Sequence, residues 1–234
     1  MLGRLARGLA AAAFGGTCFL CRGAAGGVLC EACEADLPRL AGPRCARCAL
    51  AAPEGAAQCG RCLARPPAYD ATIAALAYEF PADVLVQALK FRGELALAPL
   101  LGGLLARALP PGTRADVLLP VPLSGARLRS RGFNPAMELA RPLAAATGAR
   151  LEPRLAGRVR DTAPQMELAY AARAANVRGA FGCARDLEGA EVAVVDDVMT
   201  TGATLEELAA TLKRAGASRV VNWVLARTPP PADA

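Results

Sequence analysis

Histidine is absent from this chain of 234 residues. Any proton transfer near neutral pH would therefore fall to a carboxylate, a water or the substrate itself. Aromatic residues make up only 4% of the chain, with a single Trp, which supplies a broad base-stacking platform poorly. Although 54% of the residues are hydrophobic, no run of eighteen or more lacks a polar interruption, so a membrane span is not expected. Lysine is missing from the stretch between Arg114 and Arg178, which holds eleven Arg and five acidic residues. That excess reads either as a solvated face or as a pocket for polyanions, whose oxygens a guanidinium fork meets in pairs.

What the sequence does have in quantity is cysteine, and it is patterned. Eight of nine Cys form four CxxC pairs: Cys18/Cys21, Cys30/Cys33, Cys45/Cys48 and Cys59/Cys62. Each pair can make a knuckle aiming two sulfurs at one ion, and two knuckles close a tetrahedral site. The even count also fits a disulfide framework, but pairs repeated at intervals of eight, eleven and ten residues favour zinc. Pairing in sequence order gives one site from Cys18, Cys21, Cys30 and Cys33 and another from Cys45, Cys48, Cys59 and Cys62; a crossed pairing stays open. Neither site keeps a free position, so the metal role is structural. As thiolates holding two Zn²⁺, these residues bring the formal charge of +6 down to about +2. Cys183 stands apart and reads as a small buried hydrophobe.

The opening MLGRLARGLAAAAF reads as an amphipathic N-terminal turn or helix, with a signal peptide as the competing reading. Pro66-Pro67 makes a stiff connector. The expected division is a Cys-rich zinc-ribbon module over 1–65 and a larger domain over 66–234.

In the larger domain, apolar runs alternate with helical patterns. Strands are expected at 71–79, 116–121 and 191–197 and in SRVVNWVLA; helices at 82–91, at 95–109, after the Asn134 cap and Pro135, and from the end of the acidic strand to about Arg214. That alternation implies a mostly parallel α/β sheet flanked by helices, with ligands at the carboxyl ends of the strands. There the sequence VAVVDDVMTTGAT, 192–204, places Asp196-Asp197 at a strand end and Thr200-Thr201-Gly202-Ala203-Thr204 at the following helix N-terminus. Backbone N–H groups and the helix dipole favour a phosphate there, while paired carboxylates call for hydroxyls or a metal ion. A phosphorylated sugar supplies both. A plain Asp-rich helix cap is the competing reading.

This segment resembles the thirteen-residue signature of type I phosphoribosyltransferases, which bind phosphoribosyl pyrophosphate (PRPP). With the four CxxC pairs, ALKFRGE at 88–94, LLPVPLSGARLRSRGFNPA at 118–136 and RVRDTAPQMELAYAARAANVRGAF at 158–181, the chain is similar to the competence-associated ComF family. The resemblance implies a type I phosphoribosyltransferase-like fold behind a double zinc ribbon. It implies that Asp196 and Asp197 hold the ribose hydroxyls, and that Thr200, Thr201, Gly202, Ala203 and Thr204 hold the 5′-phosphate. Leu123, Ser124 and Gly125 fall where relatives bind pyrophosphate, with Arg127 and Arg131 to neutralise it. Arg158, Arg160 and Gln165 fall on the loop that closes over PRPP, although a merely exposed charged loop is the alternative. Mg²⁺ would accompany PRPP, and Asp197 and Asp196 would stabilise charge on the ribose during transfer. The implied setting is cytoplasmic, with a role in natural competence and DNA uptake and with single-stranded DNA and competence proteins as further partners. A phosphoribosyltransferase, a non-catalytic PRPP sensor and a DNA-handling accessory all fit. A glutaminase role for Cys18 does not, since it is engaged in the zinc pattern.

Overall fold

The computed structural model describes residues 16–160 and 172–229. The expected N-terminal helix over residues 1–14 and the loop residue Gln165 lie outside them.

The strands run in chain order as β1 (Gly16–Thr17), β2 (Ala24–Ala25), β3 (Ala71–Ala77), β4 (Val117–Pro120), β5 (Arg150–Leu151), β6 (Ala156–Arg158), β7 (Phe181–Cys183), β8 (Glu191–Met199) and β9 (Arg219–Arg227). Five of them form one parallel sheet in the order β3-β9-β8-β4-β5. The two central strands, β8 and β9, are nearly continuous apolar runs because helices cover both faces of the sheet. Trp223, the single tryptophan, lies wholly buried on β9. On one face Leu101, Leu104 and Leu105 meet Leu139 and Leu143. On the other, Leu205, Leu208 and Leu212 pack over Val192, Val194 and Val224.

The expected elements are present, with three adjustments. The stretch expected as one helix over 95–109 is a short 3₁₀ turn, Leu95–Leu97, leading into the helix Ala98–Ala108. The turn expected after β4 winds at once into the helix Gly125–Arg131, because the Ser124 hydroxyl accepts from the Arg127 N–H at 3.3 Å and caps it. Finally, β8 does not leave the sheet at the acidic pair but continues to Met199, since its ladder with β9 persists to Met199 opposite Arg227.

In the Cys-rich module, Cys18, Cys21, Cys30 and Cys33 gather in one set and Cys45, Cys48, Cys59 and Cys62 in a second, each with its sulfurs within 4.8 Å of one another. The pairing is thus sequential rather than crossed. Both sets fit structural Zn²⁺, being tetrads of soft sulfur donors with two of them at a helix start. No helix among the described residues is long and apolar enough to cross a membrane.

Candidate functional site

A cleft of about 1220 Å³ opens at the carboxyl ends of β4 and β8. Its floor is made by Asp196 and Asp197, and one wall by the segment 200–204, which leads into the twelve-residue helix Ala203–Arg214. Gly202 makes this turn possible. Its φ is +85°, and a Cβ there would lie 2.7 Å from Met199 Cε and 3.2 Å from Tyr69 Oη. The Thr201 hydroxyl accepts from the Ala203 N–H at 3.2 Å, satisfying one of the first N–H groups of the helix.

The two carboxylates are held differently. Asp197 is buried and pairs with Lys90 at 2.7 Å, with 17% of the Lys90 side chain and 11% of that of Asp197 exposed. Asp196 accepts from the backbone N–H of Asp197 at 2.9 Å. Burial, reinforced by the Asp197 charge and opposed by Lys90, pushes the Asp196 carboxyl up to about 7. Asp197 thus has a cation beside it, while burial and the neighbouring carboxylate raise the proton affinity of Asp196.

Across the cleft stand Arg127, Arg131 and Arg158 with Leu123. Burial lowers the pKa of Arg131, against the pull of Asp197 and with the push of Arg127. Guanidinium groups crowded this way stand to gain from an anion. Arg158 donates to the Pro122 carbonyl at 3.1 Å and lies 4.9 Å over the Phe181 ring, so strand pairing and stacking fix it at the cleft edge. The cleft mouth adds Tyr78, Phe91, Arg92 and Phe133.

Most of the residues expected from the sequence therefore share one cleft: Asp196, Asp197, Thr200, Thr201, Gly202, Ala203, Thr204, Arg127, Arg131 and Arg158. Two stand apart from its lining. Ser124 is buried and spends its hydroxyl as a helix cap, with Gly125 behind it. Arg160 folds back onto the carbonyls of Asn176 at 3.0 Å and Arg178 at 2.7 Å. Sequence reasoning missed Lys90, although it lies within ALKFRGE and is one of only two lysines in the chain. A cation beside Leu89, in the last turn of a helix with one apolar face, was the available signal.

Known proteins resemble this chain in both of its parts. A double zinc ribbon domain matches residues 9–63 and a phosphoribosyl transferase domain matches residues 103–232. The DNA utilization protein YhgH of Salmonella typhimurium is 35% identical over 222 residues, covering 91% of this chain and 97% of its own. Competence protein F of Haemophilus influenzae is 31% identical over 222 residues, covering 90% and 96%. A purine phosphoribosyltransferase from Pyrococcus horikoshii superposes more loosely, at 19% identity and a TM-score of 0.29 over 67% of this chain and 77% of its own. Four cysteine pairs in two closed tetrads, a parallel sheet carrying an acidic pair near the end of its central strand, and relatives matched nearly end to end place this chain in the ComF family of competence-associated, phosphoribosyltransferase-like proteins with an N-terminal double zinc ribbon.

Proposed function

We propose that this protein binds PRPP with Mg²⁺ in the cleft and transfers the phosphoribosyl group to an acceptor entering at its mouth. The zinc module of residues 1–65 supports a PRPP domain of residues 66–234. The observation that carries this reading is a single cleft lined by a turn at a helix N-terminus, by two carboxylates and by the guanidinium groups of Arg127, Arg131 and Arg158. Each matches one part of PRPP.

The 5′-phosphate takes the 200–204 turn, where N–H groups and the helix dipole meet it. The ribose hydroxyls donate to Asp196 and Asp197, and Arg127 and Arg131 face the pyrophosphate beside the 123–125 turn. Arg158 and Arg160 belong to the segment that covers the ligand. Mg²⁺ finds hard oxygen donors in the two carboxylates and, when bound, neutralises charge on the pyrophosphate. As the bond from C1′ to pyrophosphate breaks, positive charge grows on the ribose, and the carboxylate floor stabilises it. With no histidine in the chain, removal of the acceptor proton falls to a carboxylate, a water or the acceptor itself.

The test is a mixture of protein, PRPP, Mg²⁺ and candidate acceptors assayed for pyrophosphate. Acceptor-dependent release supports transfer. PRPP binding without release across the acceptors makes the protein a PRPP sensor, and absence of PRPP binding overturns the reading.

A second reading, handling of single-stranded DNA, is favoured by one observation and by the names of the relatives. Few as the aromatics are, they gather with arginine: Arg22 and Arg92 lie 5.8 and 5.6 Å from the Phe19 ring, and Arg131 lies 5.2 Å from Phe91. Phe91 is 55% exposed. This track joins the first zinc knuckle to the cleft mouth and offers alternating cations and rings to a phosphate backbone with unpaired bases. Binding through phosphates should weaken steeply with salt and vary little with sequence; affinity unchanged by a several-fold rise in salt would rule it out.

A further inference from the structure

The turn at 200–204 is held from behind by the second cysteine site. Arg227, the last residue of β9, is 2% exposed and is not among the residues lining the cleft. Its Nε donates to the Cys48 carbonyl at 2.8 Å. Its Nη1 donates to the Met199 carbonyl at 2.7 Å, to the Thr228 carbonyl at 2.8 Å and to the Thr200 carbonyl. One guanidinium thus grips a zinc knuckle with one edge and the start of the turn with the other.

The geometry of the peptide group gives this grip a consequence. In a trans peptide the C=O and the following N–H point in opposite directions. Drawing the carbonyls of Met199 and Thr200 back onto Arg227 therefore aims the N–H groups of Thr200 and Thr201 away from it. Thr200 and Thr201 both line the cleft. Tyr69 supports the same turn: it is buried, and its Oη would stand 3.2 Å from a Cβ on Gly202. Tyr69 shares one apolar cluster with Cys45, Cys48, Cys59, Cys62, Met199 and Leu205. The backbone between them is stitched as well, since Arg47 donates to the Tyr69 carbonyl at 2.7 Å and the Ala68 N–H donates to Glu206 at 2.9 Å. The first cysteine site meets the domain away from this turn, through Glu34 with Arg107 at 2.7 Å and through Phe19 with Arg92 at the cleft mouth.

We infer that Arg227 is a positioning residue that sets the peptide planes of the 200–204 turn and ties them to the Cys45–Cys48–Cys59–Cys62 site, so that this zinc site, and not the first, determines how firmly the turn is held for a phosphorylated ligand. The inference rests on reading the turn as the phosphate site. A guanidinium is suited to the task because its fixed fork spans two groups of carbonyls, whereas an ammonium can satisfy one.

The experiment uses the zinc-loaded full chain and measures zinc content, the urea midpoint, hydrogen exchange over 200–203 and calorimetric binding of PRPP with Mg²⁺. Arg227→Lys keeps the charge and two zinc ions; its urea midpoint should stay near that of the unmodified chain, while amides 200–203 exchange about tenfold faster and PRPP binds roughly tenfold more weakly. Cys62→Ser should accelerate the same amides, and Cys21→Ser should not. The inference is overturned if Arg227→Lys and Arg227→Gln both exchange like the unmodified chain over 200–203, or if Cys21→Ser loosens the turn as much as Cys62→Ser. If the unmodified chain binds no PRPP while Arg227→Lys still loosens the turn, the coupling stands and the PRPP reading falls.

Discussion

Replacing Lys90 by Met leaves the Asp197 carboxylate buried beside Asp196 without its cation. The N–O separation is 2.7 Å, where two unit charges attract by roughly 6 kcal/mol at an effective dielectric of about 20. Much of that offsets the desolvation of both groups, and stranding one partner of such a pair costs about 3–5 kcal/mol. The protein has one escape, which is to protonate Asp197. Protonating a carboxylate becomes costlier by about 1.4 kcal/mol for each unit of rising pH. The loss should therefore be smaller at pH 5.5 than at pH 8, where it reaches the full value of about 3–5 kcal/mol. The sign agrees with Asp196, whose folded pKa of about 7 lies above its unfolded value. Its contribution is fully present below about pH 4 and is lost as pH rises through 7. Urea denaturation of Lys90→Met and of Lys90→Met/Asp197→Asn at both pH values measures these quantities. The double variant should recover most of the loss at pH 8, because no charge is left stranded. An equal penalty at both pH values, or a double variant no more stable than the single one, would refute the argument.

Three further outcomes are expected. Asp197→Asn should weaken PRPP binding by roughly 1–3 kcal/mol and Thr201→Val should weaken it too, while Cys183→Ala leaves it unchanged by calorimetry; full affinity in Asp197→Asn would make the acidic pair purely structural. Gly202→Ala forces a side chain into a φ of +85° against Met199 and Tyr69, so PRPP affinity should fall more than in an alanine variant of Gly60, where a Cβ meets nothing within 4 Å. Metal analysis of protein prepared without chelator should return two Zn²⁺ per chain; zinc-free protein with these cysteines in disulfides would overturn the metal reading.

The parts of this protein legible in the sequence are those whose cause is local. CxxC pairs announce their knuckles because two sulfurs three positions apart already share one ion. The acidic pair and its Thr-Gly turn stand out because an apolar strand rarely ends in two carboxylates without a ligand to meet them. Short strands such as Arg150–Leu151 and Phe181–Cys183 leave no periodic trace, being only two and three residues long. The sheet order is equally silent, since nothing in β9 says that it will lie between β3 and β8. Lys90 and Arg227 were missed for the same reason. Each acts on a residue far away in the chain, and a single basic side chain carries no mark of the carbonyl or carboxylate it will find. Asp197 looked like half of a repelling pair until Lys90 stood beside it.

The outer edge of β3 has a meaning of its own for the solution behaviour of the molecule. β3 borders the main sheet, and its sequence, ATIAALA, carries no charge. An uncovered parallel edge of this kind is a template for adding another strand. Here the Cys-rich module covers it: the Thr72 N–H donates to Ala46 at 3.0 Å, the Ala77 N–H donates to Pro38 at 2.7 Å, and Arg39 bridges Leu76. The opposite border, β5, is only two residues long and offers little to pair with. The zinc ribbons are thus also a guard against aggregation. A fragment beginning at the phosphoribosyltransferase-like domain would present β3 bare and self-associate, and chelation of the whole chain would precipitate it before the main sheet unfolded.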